Sequence, residues 1–165
     1  MNLIIRKYQP GDSIPVITEL LHSAYAASAK QGLKFLASHQ DDEITKSRLE
    51  KGIAFLLLLD DKIIGTISVF KPSEKSPIEY NRQDGVYTLS QFATDPIYQG
   101  NGYGKMLFKA AVDYCRSLGC KAVTLDTSEK ATDLIQRYQN WGFEIIDHVQ
   151  WDVTNYRSVV MAKLL

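Results

Sequence analysis

The sequence predicts a single α/β domain over residues 1–165, with about seven strands in one mixed sheet flanked by about four helices. Three observations carry this reading. Strand-like and helix-like segments alternate along all 165 residues without a repeat or a linker. Hydrophobic residues make up 45% and charged residues 23%, the balance of a globular domain that buries roughly two thirds of its extended surface. The longest apolar run, Ile53 to Leu59, is far short of the ~20 residues a membrane-spanning helix needs.

Each element has its own signal. Leu3, Ile4 and Ile5 before Pro10-Gly11-Asp12 read as a short strand. Ile14, Ile17, Leu20, Leu21, Ala24 and Tyr25 then recur at helical spacing, with Pro15 near the start, where its missing N–H is no loss. Gly32 to Gln40 reads as a loop, and Asp41, Asp42 and Glu43 put negative charge at the start of a second helix ending near Gly52. Ile53 to Leu59, an Asp60-Asp61 turn and Lys62 to Phe70 make a hairpin. Lys71 to Asp84, with two prolines and several charges, is a loop long enough to suggest a functional role. Gly85 to Thr94 is a strand rich in β-branched and aromatic residues, halted at Asp95-Pro96. From Gly102, Met106, Leu107, Ala110, Ala111 and Tyr114 mark a helix buried on one face and closed at Gly119. Ala122 to Leu125 is a short strand, and Ala131 to Asn140 a helix with Leu134, Ile135 and Tyr138 on one side. Phe143 to Trp151 and Ser158 to Leu164 are the last two strands.

Charge excludes several function classes. Nineteen basic residues balance nineteen acidic ones, so no overall field draws the chain to nucleic acid or to an anionic membrane. The amino terminus reaches charge after three apolar residues, too few for a secretion signal, and a cytoplasmic location is expected. Cys115 and Cys120 have a spacing that fits neither a metal pair nor a redox motif. Free thiols and no metal are expected.

The informative stretch runs from Asp95 to Lys105, between a strand and a helix. Glycines at 100, 102 and 104 strip away side chains, so successive backbone N–H groups can converge on an anion at the positive end of the next helix. A pyrophosphate suits that cradle, with Lys105 adding a mobile cation. Two known phosphate motifs fail here. The dinucleotide fingerprint needs a third glycine where Lys105 stands, and a P-loop needs a hydroxyl where Met106 follows Lys105.

Gln99-x-x-Gly102-x-Gly104 after Thr94-Asp95-Pro96 resembles the acetyl-CoA signature of the GCN5-related N-acetyltransferases, the GNAT family. Tyr138-Gln139-Asn140-Trp141-Gly142-Phe143 is similar to the Tyr-x-x-x-Gly-Phe that closes the family's fourth helix. The order of elements matches over essentially the whole chain. The resemblance implies a mostly antiparallel sheet whose fourth and fifth strands splay apart to admit the cofactor. It puts the pantetheine arm along Phe92, Ala93 and Thr94, and the pyrophosphate on Gln99, Gly100, Asn101, Gly102, Tyr103, Gly104 and Lys105. It implies acetyl-CoA as co-substrate, an amine of unknown identity as acceptor, and a homodimer as one arrangement, since many relatives pair through late strands. Two positions depart from the family. Ala131 stands where many relatives carry an asparagine that touches the cofactor. Thr88 falls where the histone-acetylating branch has a glutamate base, so histone-type chemistry is not supported.

Acetyl transfer to an amine needs a base, a donor to the developing oxyanion and a proton for the thiolate. The resemblance gives the last role to Tyr138; packing on its helix's apolar face is the alternative. A backbone N–H near Phe92 is the candidate oxyanion donor. Asp126, Glu79, Asp84, Glu144, His148 or a water chain could accept the proton, and sequence does not choose among them. The acceptor site is expected where the first two helices meet the Lys71 to Asp84 loop, with Tyr25, Phe35, Tyr80 and Tyr156-Arg157 as its candidates. Two other classes stay open at this point: a non-catalytic CoA-binding module and a nucleotide-binding α/β enzyme.

Overall fold

The computed structural model describes residues 1–165. Its elements are β1 (Leu3–Lys7), α1 (Ile14–Lys30), α2 (Leu36–His39), α3 (Asp42–Lys51), β2 (Ile53–Leu59), β3 (Lys62–Phe70), β4 (Val86–Thr94), α4 (Tyr103–Ser117), β5 (Ala122–Ser128), α5 (Thr132–Asn140), β6 (Glu144–Gln150) and β7 (Arg157–Leu164). One seven-stranded sheet runs in the order β1-β2-β3-β4-β5-β7-β6. The single-turn α2 lies in the segment read as a loop, because one turn is too short to leave a periodic signature.

Local chemistry starts and stops these elements. The Ser13 side chain caps α1, and the Asp41 carboxylate caps α3 by accepting from the Ile44 N–H at 2.9 Å. Asp42 and Glu43 sit in the first turn of α3, Arg48 and Lys51 in its last, each matched to the helix dipole. Asp60 and Asp61 both take positive φ (48° and 68°), the conformation a two-residue hairpin turn needs to follow the twist of its strands.

The run Ile53–Leu59 is apolar throughout because β2 is covered on both faces. Phe55 and Leu57 join the core beneath α4, with Leu107, Ala111 and Val112. Ala54, Leu56 and Leu58 join the opposite core under α1 and α3, with Ile17, Leu21 and Leu49. At the α3–β2 junction, a Cβ on Gly52 would lie 2.7 Å from the Val69 carbonyl oxygen and 3.1 Å from the Phe70 ring. Gly52→Ala is therefore expected to destabilise by about 1–3 kcal/mol, seen in urea as a lower midpoint at unchanged slope.

The only parallel pair is β4 with β5, and it holds over three residues, Val86–Thr88 against Ala122–Thr124. Beyond Thr88, β4 pairs only with β3 and the rest of β5 only with β7. The splay expected between the fourth and fifth strands is thus present. A β-bulge interrupts β4 between Ser90 and Ala93, and within it Gln91 takes φ 48°, unusual for a residue with a side chain. Its amide is held in a buried network: Gln40 Nε2 donates to Gln91 Oε1 at 2.7 Å and to Thr45 Oγ1 at 2.8 Å. No helix is long and apolar enough to cross a membrane.

Candidate active site

The glycine segment folds as its sequence requires. After a one-turn 3-10 segment at Pro96–Tyr98, Gly100 and Gly102 take φ 84° and 80°, and Gly102 caps α4 without a side-chain hydrogen bond. The amides of residues 100–105 find no acceptor within the chain, so they form a nest of free donors at the helix's positive end. Gln99 Nε2 donates to the Thr94 carbonyl at 3.3 Å, and a Cβ on Gly104 would lie 3.3 Å from Thr94 Oγ1 and 3.8 Å from the Phe92 ring. The nest therefore abuts the end of β4. From it a groove of about 440 Å³ follows α4 past Lys105, Lys109, Arg116 and Lys163 to Trp141. A Cβ on Gly102 would meet nothing within 4 Å, so Gly102→Ala tests the backbone alone. A side chain at this φ costs about 1–2 kcal/mol; if the loop relaxes to escape it, diphosphate-bearing ligands should bind roughly tenfold more weakly in calorimetry.

On the other side of β4 a second cavity, of about 360 Å³, opens where β4 and β5 part. Tyr25, Phe35, Phe70, Val153 and Tyr156 give it an apolar wall; Arg48, Thr88, Ser90, Asp126 and Tyr138 supply polar groups. Tyr25 donates its hydroxyl to the Phe92 carbonyl at 2.8 Å, tying α1 to the bulge. Burial pushes the Tyr25 phenol up to about 12. Burial likewise raises Tyr138, which stays protonated over the ordinary pH range. Asp126 is also raised above the usual carboxylate range, first by burial, while the Trp151 indole N–H donates to its Oδ2 at 2.8 Å and pulls the other way.

Tyr138 and Phe92 line one cavity, bridged by Trp141, whose ring lies 5.8 Å from Tyr138 and 6.2 Å from Phe92. Tyr138 is also 8% exposed and part of the core under α4, so packing and cavity-lining are both true of it. Thr94 and residues 99–105 gather around the nest. The Ala93 side chain turns away into the core under α1, leaving only its backbone to the cleft. Of the five acidic or imidazole candidates only Asp126 lines the cavity; Glu79, Asp84, Glu144 and His148 are solvent-exposed.

Two expectations about the acceptor side are corrected. The Lys71 to Asp84 loop does not wall the cavity. It packs against the sheet, with Ile78 buried and Asn81 Oδ1 accepting from Thr124 Oγ1 at 2.6 Å. The wall comes instead from α1, α2 and residues 151–156. Tyr80 and Arg157 are likewise outside it, Arg157 pairing with Glu129 at 2.9 Å. Sequence reading missed Gln91, since nothing in its neighbours marks a positive φ, and Arg48, which reads as an ordinary charge in the last turn of a surface helix.

The acetyltransferase (GNAT) family model matches residues 16–143, a span that holds both the glycine nest and the splayed strand pair. The chain belongs to this family. Like other GNAT enzymes it is an N-acetyltransferase that uses acetyl-CoA. It is 29% identical over 129 residues to S-(2-succino)cysteine N-acetyltransferase of Bacillus subtilis, covering 77% of this chain and 76% of that protein. It is 28% identical over 152 residues to mycothiol acetyltransferase of Saccharopolyspora erythraea, covering 90% of this chain but 44% of that protein. The fold matches a GNAT family acetyltransferase from Elizabethkingia anophelis, solved with acetyl-CoA bound, at TM-score 0.71 and 18% identity, with 99% of each chain covered.

Proposed function

We propose that this GNAT enzyme transfers acetyl directly from acetyl-CoA to the amine of a small molecule, with Asp126 as base and Tyr138 as donor to the leaving sulfur. The observation that carries the reading is that Asp126 and Tyr138 share the cavity into which Phe92 also faces. Bound acetyl-CoA supplies an acyl group activated as a thioester. The free amides of residues 100–105 hold its diphosphate, and the groove lined by Lys105, Lys109, Arg116 and Lys163 takes its phosphorylated nucleotide end.

On the protein side, Asp126 receives the proton released as the amine nitrogen bonds to the acyl carbon; a raised carboxylate is a stronger base than an ordinary one. The Phe92 amide, turned by the bulge at Gln91, donates to the oxygen on which charge develops. Tyr138, kept protonated by burial, donates to the sulfur as the carbon–sulfur bond breaks. Cys115 and Cys120 are buried in the core and do not line the cavity, which favours direct transfer over a thiol-bound acyl enzyme. The enclosing wall from α1, α2 and residues 151–156 favours a small acceptor, and the two relatives above are named for small molecules.

Thermal shift with acetyl-CoA, CoA, ATP and NAD, followed by thiol release against an amine panel, tests this. Stabilisation by acetyl-CoA and CoA, with thiol release on adding an amine, is the expected result. Stabilisation by ATP or NAD alone overturns it. Binding of CoA without thiol release from any amine would make the chain a binding module.

A further inference from the structure

The acceptor cavity holds a cation that no carboxylate of the chain contacts directly. Arg48, near the end of α3, is half-buried and lines the cavity. Its Nη1 donates to Gln40 Oε1 and its Nη2 to Ser90 Oγ, both at 2.6 Å, and it forms an ion pair with no carboxylate of the protein. Both acceptors are neutral, so two of five guanidinium N–H donors are used, and the carboxylate that acts on the charge, Asp126, does so across the cavity and not by contact. Partly burying a cation against neutral partners is costly, and an anionic group of a ligand placed at its free donors offsets that cost.

The fork is also held rigidly. Gln40, 1% exposed, donates to Thr45 and Gln91 while accepting from Arg48. Arg48 is thereby locked to the bulge of β4 that borders the reacting centre, with its remaining donors available to the cavity. A planar guanidinium fixed in this way matches the two oxygens of a carboxylate. Across the same cavity Asp126 offers the opposite charge, and Tyr25, Phe35, Phe70 and Tyr156 offer an apolar wall.

We infer that the acceptor is an amino acid or close derivative: its carboxylate pairs with Arg48, its amino nitrogen, neutral when it attacks, faces Asp126, and an apolar side chain lies on the aromatic wall. This rests on the transferase reading above and narrows it, because a polyamine or other cationic amine would set a second positive charge against Arg48.

The test separates the two. On CoA-loaded protein, calorimetry compares the products N-acetylphenylalanine, N-acetyltyrosine, N-acetylleucine and N-acetylmethionine with the corresponding N-acetylamines that lack the carboxylate. At least one acid should bind ten- to a hundredfold more tightly than its neutral partner. Arg48→Gln should bring that ratio towards one, and Arg48→Lys, which keeps the charge but loses the fork, should leave it in between. The matched free amino acids and amines should show the same preference in kcat/KM. If no acid outbinds its neutral partner in the wild type, a comparison that needs no variant, the inference falls while the transferase reading stands. It falls too if the preference survives intact in Arg48→Gln. Failure of acetyl-CoA to bind at all removes the transferase reading first and this inference with it.

Discussion

Asp126→Asn is expected to lower kcat by about 10²- to 10⁴-fold, the range for loss of a positioned proton acceptor, without lowering the melting temperature at pH 7. The amide keeps an oxygen for the Trp151 N–H that Asp126 Oδ2 accepts at 2.8 Å, so the cavity wall retains its hydrogen bond. The stability side follows from the direction of the shift. Burial raises Asp126 above its ordinary value of 3.8, so the folded state holds the proton more tightly than the unfolded chain. That linkage stabilises fully below the unfolded value and is lost as pH climbs through the folded one. At neutral pH the ionised carboxylate is a net burden, and Asn removes it. In the wild type, kcat/KM should fall as pH drops through a value above that of an ordinary aspartate, and the variant should lack this limb. Full activity in Asp126→Asn would mean that water or solvent takes the proton; a large drop in melting temperature would mean that the carboxylate is structural.

Features of this site differ in how far sequence exposes them, and the difference is physical. The nest at 100–105 is legible because only glycine adopts φ 84° and 80° cheaply, so the backbone requirement is written in residue type. The hairpin turn and the capped helices are legible for the same reason. The bulge at Gln91 is not: its φ of 48° is imposed by tertiary partners, Gln40 among them, that lie 51 positions away in the chain. Arg48 shows the converse problem. Placed at the end of α3 it satisfies the dipole rule and looks complete as a surface charge, and only the packing of α3 on α1, β2 and β3, which lets its side chain reach Ser90 of β4, carries it to the cavity. Length alone points the Lys71 to Asp84 loop to the acceptor side, and length does not say which face a loop covers. Asn81, by accepting from Thr124, ties it to the sheet instead.

Tyr138→Phe should reduce kcat by about 10²-fold, as expected for loss of one donor to developing charge, with the affinity for acetyl-CoA nearly unchanged. The ring packs edge-on against Trp141 and Phe143, each 5.8 Å away, and phenylalanine preserves those contacts, so no cavity is created. Only the hydroxyl is lost. Because burial raises this phenol, complete proton transfer to a thiolate whose conjugate acid titrates near ~8.5 is uphill. The hydroxyl acts by stabilising the sulfur's charge in the transition state, and solvent completes the protonation after release. That distinction is measurable. A donor of this kind gives a loss in kcat that is nearly constant from about pH 6 to 9, whereas a tyrosine that titrated in this range would bend the profile. An acetyl donor with a more acidic thiol leaving group should narrow the gap between wild type and variant, because less charge then needs stabilising. Equal losses with both donors, or no loss at all, would leave Tyr138 as a packing residue and return the leaving group to water.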